Sequence, residues 1–278
     1  MPRIIRNLSS GDKLLYAWFS AMHTRVDMIL MTGNAITNLE IIENEISQKI
    51  SGIEKMTNYF DSESELSYLN DNAANRPIKM SDTINDIISR CIKYNERTQG
   101  LFDISISSHN YEHNMLKGIH ISQDGYLFFD NHNVRIDLSG IIKGYTLDEI
   151  HGILRHHQIE NALINLGNSS ILAIGNHYRQ EGWEISLKGL ENGDDIPVIL
   201  HNECLTVSGN NTLERKHIIN PGTGKYIEGC KEVAVITDNA TDGEVLSTSL
   251  FIADEKLEKM LFRAFHIKKI IHSNHRET

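Results

Sequence analysis

Short β-type runs fill the stretch between residues 162 and 237, and they limit the folds open to this chain more than any other feature. Apolar residues recur in each run, and Gly, Asn or Asp separates one run from the next, a pattern typical of antiparallel hairpins. The runs are Ala162–Leu166, Ile171–Ile174, Trp183–Leu187, Pro197–Leu200, Leu205–Val207 and Val233–Thr237.

Helical patterns lie on both sides of these strands. Between residues 35 and 56, apolar side chains recur every three or four positions starting at Ile36, which indicates a helix with one apolar face. A second helix is predicted from Asp82 to Arg97, because Gly100 lies just beyond it. The remaining predictions are a strand and turn at 15–32, helices at Gly243–Ala253 and Lys256–Phe265, and a final strand at Lys269–His272.

Helices that flank a mostly antiparallel sheet define an α+β fold, which is the fold class predicted here. No internal repeat and no low-complexity linker interrupts the sequence, so we expect a single domain over residues 1–278. With 40% hydrophobic residues, a chain of this length can bury a substantial core.

Charge and cysteine usage exclude several classes of protein. The net charge is −10 and no dense basic cluster is present, which argues against binding to a nucleic-acid backbone. Cys91, Cys204 and Cys230 are far apart, which argues against a disulfide framework and against a zinc site. The first residues lack the apolar core of a signal peptide, and no apolar run is long enough to span a membrane. We therefore expect reduced thiols and a cytoplasmic protein.

The segment Ile136–Asp148 is the strongest local indication of chemistry. A short apolar run passes through Asp137 and Gly140 into a helix that carries Lys143. Helix starts offer free backbone N–H groups and a positive dipole end, glycine lets the backbone approach a ligand, and lysine adds a positive charge, so the segment suits a phosphate group. Such residues at the start of a helix more often only cap the helix and turn the chain, without any ligand.

The segment Gly243–Thr248 indicates a possible cation site. Glu244 and Thr248 are four residues apart, so a helix places the carboxylate and the hydroxyl on one face, where they can share a cation. Spacing alone also fits a capped surface helix. Asp242 could replace Glu244 as the carboxylate ligand of a cation.

His217 is the best candidate for proton transfer among the 14 histidines. A neutral imidazole near pH 7 can accept a proton from an attacking hydroxyl group. His217 precedes the Pro-Gly turn of residues 221–222, whereas His109, His113, His156 and His157 are expected in loops or on exposed helix faces.

Eight segments in order resemble one family along nearly the whole chain, the ApbE-type FAD:protein FMN transferases. The resemblance implies a single ApbE-like, T-fold-like domain. It also implies an enzyme that uses Mg²⁺ to transfer FMN from FAD to a Ser or Thr hydroxyl of an acceptor protein, releasing AMP. The segments are Ala21–Thr24, Ser64–Asn70, Gly100–Asp103, Asp137–Asp148, Ile164–Gly167, Thr206–Gly209, His217–Gly224 and Glu244–Thr248.

The resemblance also implies roles for individual residues. It assigns proton transfer to His217 and contact with the phosphate to Lys143. Phe60 would lie against the flavin ring, although an aromatic residue that ends an amphipathic helix also suits core packing. The implied flavin-binding residues are Met22, Phe60, Leu101, Phe102, Asp103, Asp137, Lys143 and Ile219, and the implied metal ligands are Gly140 through its carbonyl, Glu244 and Thr248, with Ser247 close by.

The sequence departs from the family pattern at several places. His23 stands where relatives carry Gly, Glu244 where they carry Asp, and Asn220 where they carry Asp. The stretch between Ile106 and Phe128 is shorter than in relatives and lacks their Trp-containing segment. Two other functions therefore stay open: an FAD pyrophosphatase that gives FMN and AMP, and a non-catalytic FAD-binding homologue.

Overall fold

The computed structural model describes residues 2–8, 11–33, 36–191, 194–210, 217–229 and 231–274. An antiparallel sheet of eight strands forms its centre, in the order β1-β2-β3-β7-β8-β11-β14-β15. These strands are β1 Arg3–Asn7, β2 Lys13–Ala21, β3 Thr24–Thr32, β7 Asn161–Leu166, β8 Ser170–Ile174, β11 Glu203–Asn210, β14 Lys231–Thr237 and β15 Ile267–Asn274.

The described part of the chain also contains six α-helices and three small sheets. The helices are α1 Leu39–Thr57, α2 Glu65–Asn72, α3 Asp82–Arg97, α4 Ile142–His156, α5 Ala240–Ile252 and α6 Glu255–Ala264. The small sheets contain β4 Ile78–Lys79, β5 Ile119–Ile121 and β6 Tyr126–Phe129, then β9 Trp183–Glu191 and β10 Asp194–Leu200, and finally β12 Ile219–Asn220 and β13 Lys225–Tyr226.

Buried apolar side chains cover both faces of the large sheet. On one face, α1 and α4 pack against β2, β3 and β7 through residues such as Ile46, Ile150 and Ile164. On the other face, the β9–β10 hairpin packs through Trp183 and Leu200. The central strand β8 is therefore buried along its whole length. This arrangement confirms the α+β fold with a mostly antiparallel sheet.

The apolar stripe of α1 explains its position in the fold, although the helix begins later than the sequence predicts. Asn38 caps it, accepting hydrogen bonds from the backbone N–H groups of Glu40 and Ile41. Ile36, which the pattern placed in the helix, precedes it and is 92% exposed. The predicted helix Asp82–Arg97 is confirmed with the same limits, because Ser81 caps its start.

The single strand and turn predicted for residues 15–32 is wrong, because this stretch forms a hairpin of two strands, β2 and β3. All six predicted runs between 162 and 237 lie within strands. The predicted helix at 243–253 begins earlier, at Ala240, because Asn239 caps it.

Within the described residues, no helix is both long and apolar enough to cross a membrane. Cys91 and Cys204 are buried free thiols, and Cys230 lies outside the described residues.

Candidate active site

Segments far apart in the sequence meet at a cavity of about 880 Å³. Its volume is near the upper end of the range for small-molecule sites. The hairpin turns of the large sheet, the start of α4, strand β11 and helix α5 all contribute to it. Its polar lining includes His23, Asp103, Ser107, Asp137, Ser139, Lys143, Asn168, Ser169, Ser208, His217, Glu244 and Thr248.

The turn between β2 and β3 brings Met22 and His23 to the cavity. Both residues have left-handed backbone angles, with φ of 52° and 57°, which non-glycine residues seldom adopt. Glu54 of α1 holds the turn, since its Oε1 accepts a hydrogen bond of 2.6 Å from the backbone N–H of Met22. A side chain distant in sequence thus stabilises a turn that lacks the usual Asn-Gly signal.

Phe60 is not among the residues that line the cavity. It follows the end of α1 and is 81% exposed, so it is not core packing either. Its ring lies edge-on to that of His23, with 6.3 Å between centroids. A role for Phe60 at the flavin stays a prediction.

Leu101, Phe102 and Asp103 line the cavity, and their contact with the flavin stays a prediction. The Asp103 carboxylate is buried and accepts hydrogen bonds from the backbone N–H and hydroxyl of Ser105 and, at 2.8 Å, from the hydroxyl of Tyr111. Burial and the neighbouring Asp103 raise the pKa of Tyr111 well above its usual range. Tyr111 belongs to the shortened stretch, and sequence reasoning missed it.

Asp137 lies at the cavity just before α4. Its carboxylate accepts hydrogen bonds of 2.9 Å from the hydroxyl of Ser107 and from the backbone N–H of Ser139. Asn70 fixes Ile136, the residue before Asp137, because the Asn70 side-chain amide exchanges two hydrogen bonds with the Ile136 backbone. The amide therefore positions the segment that carries Asp137, a role that spacing alone did not reveal.

Lys143 lines the cavity in the first turn of α4, and its Nζ donates a hydrogen bond to Ser169 Oγ. Gly140 lines the cavity as well. A Cβ atom placed on Gly140 would meet the Phe102 ring at 3.5 Å, which is ordinary contact. The predicted combination of a lysine, a glycine and a helix start at one ligand-sized space is therefore present.

Glu244 is a second buried acid at this site, besides Asp103. Its side chain is 5% exposed, borders the cavity and accepts a hydrogen bond from the hydroxyl of Ser170. Burial raises the pKa of Glu244, whereas the charge of Lys143 and the Ser170 hydrogen bond oppose that rise. Gly144 allows α4 and α5 to approach here, because a Cβ atom at this position would lie 2.4 Å from the Ala240 carbonyl oxygen.

Thr248 borders the cavity one helical turn after Glu244, and Ser247 does not. Ser247 is fully buried, and its hydroxyl contacts Ser208 Oγ at 2.8 Å and the Glu244 carbonyl oxygen at 3.2 Å. Ser208 also contacts Thr248 Oγ1 at 3.2 Å, so it links the two hydroxyls. Ser247 as a metal ligand stays a prediction.

Asp242 does not supply the substitute carboxylate that the sequence suggested. It does not line the cavity, and it accepts a hydrogen bond of 2.6 Å from Tyr94 and another of 3.1 Å from Asn239. Its place at the start of α5 is structural.

His217 and Ile219 line the cavity next to the β12–β13 hairpin. The His217 side chain is exposed, so solvent reaches it. Asn220 holds the following turn, since its Oδ1 accepts a 2.8 Å hydrogen bond from the backbone N–H of Gly222. An amide at this position is therefore sufficient for the turn.

Glu244, Thr248 and Gly140 line the same cavity and offer a carboxylate, a hydroxyl and a backbone carbonyl. Oxygen donors of this kind are preferred by Mg²⁺, which usually also keeps water and substrate phosphate. In the part of the chain that the structure describes, no group of three or more His, Cys, Asp or Glu is arranged to hold a metal ion. A cation here would combine Glu244 with neutral oxygen ligands.

Comparison with known proteins identifies relatives over most of the chain. The model of the ApbE family matches residues 22–115 and 108–271. A protein named FAD:protein FMN transferase from Klebsiella pneumoniae is 31% identical over 140 residues, which is 45% of this chain but less than half, 41%, of that relative. Its counterpart from Buchnera aphidicola is 24% identical over 256 residues, covering 79% of this chain and 75% of the relative.

A solved structure has the same fold. The flavin transferase ApbE from Vibrio cholerae superposes with a TM-score of 0.81 over 93% of each chain, at 18% sequence identity. At this identity the likeness concerns the fold alone.

Proposed function

We propose that this chain, which belongs to the ApbE family of flavin transferases, transfers FMN from FAD to a Ser or Thr hydroxyl of an acceptor protein and releases AMP. The observation that carries the proposal is the meeting of Lys143, Glu244 with Thr248, and His217 around one cavity. These groups offer a positive charge, a cation site and a proton acceptor, which are the needs of phosphoryl transfer.

Glu244, Thr248 and the carbonyl of Gly140 would hold Mg²⁺, because their oxygen donors fit that ion. When bound, Mg²⁺ would neutralise part of the negative charge on the pyrophosphate of FAD. Lys143 would contact the same phosphates, since its Nζ lies at the cavity and its present partner is a neutral hydroxyl. Asp137 would orient the adenylate side of FAD or water at the metal.

The reaction forms one bond to phosphorus and breaks another. His217 accepts the proton of the acceptor hydroxyl, and the hydroxyl oxygen attacks the phosphorus of the FMN half. The bridging P–O bond then breaks, and its electron pair leaves with AMP. The remaining predicted flavin contacts, Met22, Leu101, Phe102, Asp103 and Ile219, would hold the substrate in place. Because little covalent chemistry falls to the protein, positioning and charge account for most of the catalysis.

FAD pyrophosphatase activity is the second candidate, and the exposure of His217 favours it. Water can reach this imidazole in the free protein and can replace the acceptor hydroxyl. The products would be free FMN and AMP, with the same cation site and the same lysine.

Incubation of the purified protein with FAD and Mg²⁺ tests the proposal, with and without an acceptor fragment that carries a flavinylation Ser or Thr. Chromatography measures AMP, and in-gel fluorescence measures covalent flavin on the acceptor. We expect AMP and labelled acceptor together, and we expect both to disappear in Glu244→Ala. The control is Asp242→Asn, which changes an acid of the same helix outside the cavity.

Three results separate the candidate functions. AMP with labelled acceptor supports the transferase. AMP without label, at the same rate with and without acceptor, supports the pyrophosphatase instead. FAD binding without AMP at any Mg²⁺ concentration overturns both and identifies a non-catalytic FAD-binding protein. Cytoplasmic location stays a prediction, which cell fractionation would test.

A further inference from the structure

A row of four polar side chains connects Lys143, the predicted phosphate contact, with the buried carboxylate of Glu244. Lys143 Nζ donates to Ser169 Oγ, Ser169 Oγ lies 3.4 Å from Ser170 Oγ, and Ser170 Oγ donates to Glu244 Oε1. The row joins α4, the turn between β7 and β8, and α5. These three elements meet at the cavity, which Lys143, Ser169 and Glu244 all line.

Packing restrains the aliphatic part of Glu244. A Cβ atom on Gly144 would lie 2.6 Å from Glu244 Cγ, so the glutamate stem lies directly against the backbone of α4. The rest of the side chain can still rotate, because glutamate has a broad terminal torsion beyond its two aliphatic ones. Packing therefore restrains the stem, and the orientation of the carboxylate needs a further contact.

We propose that Ser170 is a positioning residue that orients the Glu244 carboxylate toward a divalent cation. Ser170 is fully buried at the first position of β8, so its hydroxyl is held by the sheet. It occupies Oε1 and leaves Oε2 of Glu244 for the ion. This inference rests on the cation site of the proposed function, and it concerns metal binding rather than flavin transfer.

Comparison with another buried serine supports a specific role for Ser170. Ser249, on the same helix as Glu244, is also fully buried, but its Oγ has no hydrogen-bond partner among the described residues. Ser170 instead points its hydroxyl at the acid that borders the cavity. Groups that hold a metal ligand in place commonly change metal affinity by about 10- to 100-fold when they are removed.

Titration of the full-length protein with Mn²⁺ alone tests the proposal, with free Mn²⁺ measured by electron paramagnetic resonance. We expect Ser170→Ala to weaken Mn²⁺ binding about 10-fold. The matched control Ser249→Ala removes an equally buried hydroxyl and should leave the affinity unchanged. Circular dichroism checks that both variants keep the fold.

A second pair of variants distinguishes positioning from general structural damage. In a Glu244→Asp background the shorter side chain falls short of Ser170, so adding Ser170→Ala should change Mn²⁺ affinity less than twofold. Equal affinities for wild type and Ser170→Ala would overturn the proposal, as would a 10-fold loss that persists in the Asp background. Mn²⁺ binding that survives Glu244→Ala would overturn it too. If the expected coupling is found in a protein that transfers no flavin, the proposed function fails while Ser170 keeps its role.

Discussion

Two acids on neighbouring helices, the half-buried Asp148 of α4 and the buried Glu244 of α5, are held in different ways. Asp148 accepts hydrogen bonds from the backbone N–H groups of Ala240 and Thr241, at 2.8 and 3.0 Å, and a third from the Thr241 hydroxyl. Among the described residues, the Glu244 side chain accepts one hydrogen bond, from Ser170. Burial raises the pKa of both carboxyl groups.

The difference separates a structural acid from an acid that is available to a ligand. Asp148 satisfies the free N–H groups at the start of α5, where a negative charge is also favoured by the helix dipole. Glu244 faces the cavity with acceptor capacity left over. A pKa raised by burial therefore does not by itself identify a functional carboxylate, whereas the number of hydrogen-bond donors around each carboxylate separates these two acids.

The largest effect that we expect is on catalysis, from Glu244→Ala. Loss of the acid should lower the rate of FMN transfer by at least about 10²- to 10³-fold, because charge stabilisation at the pyrophosphate is lost. AMP release measured by chromatography gives the rate, and thermal unfolding verifies the fold. If Glu244→Ala retains more than a tenth of the wild-type rate, Glu244 is not the functional acid in this comparison.

Asp148→Ala should instead act on stability. It leaves the N–H groups of Ala240 and Thr241 without their acceptor, so we expect a loss of about 2–3 kcal/mol in the free energy of unfolding. Urea denaturation measures the change, and Asp148→Asn, which keeps one acceptor oxygen, should lose less. If Asp148→Ala is as stable as wild type, then accepting three hydrogen bonds does not identify an acid as structural.

A smaller effect is expected for Glu244→Gln in the absence of divalent cation. The difference in the free energy of unfolding between this variant and wild type should change with pH. Since burial raises the pKa of Glu244 in the folded state, the folded protein binds that proton more tightly than the unfolded chain. The stability that the folded protein gains from this proton is complete at pH values below the pKa of Glu244 in the unfolded chain. It is lost as the pH rises through the pKa of Glu244 in the folded protein. Urea denaturation between pH 4 and 8 should show Glu244→Gln gaining stability relative to wild type toward high pH. A constant difference would contradict the expectation.

The smallest effect should come from Thr241→Val, which removes one of the three donors to Asp148 and keeps the side-chain shape. We expect a loss of about 1 kcal/mol in the free energy of unfolding and no change in FMN transfer. Chemical denaturation and the AMP assay measure the two quantities. A fall in transfer rate with unchanged stability would assign Asp148 to the active site instead.

Local patterns predicted the secondary structure well where capping residues and periodicity agree. Helix α3 has the predicted limits because Ser81 caps it and Gly100 follows it. The turn at Met22 and His23 was missed, because its left-handed backbone depends on Glu54, a residue on another element. A turn held by a distant side chain carries no local sequence signal.

The candidate site was predictable in part, for a similar reason. Acids, lysine and histidine stand out in a sequence, and the motif positions Asp137, Lys143, His217 and Glu244 all reach the cavity. A single hydroxyl residue such as Ser170 has no characteristic spacing. Its contact with Glu244 depends on the place of β8 in the strand order β3-β7-β8-β11, which the sequence does not specify.

The order of strands in the large sheet also determines when the cavity can exist during protein synthesis. Strand β3 has to wait for β7, since Val26 pairs with Leu166, and the cavity also needs Glu244 and Thr248 near the other end of the chain. Contacts between such distant segments form slowly. A ribosome-bound chain that lacks α5 also lacks Glu244 and Thr248, so we expect FAD binding to begin only after α5 has been synthesised and has folded.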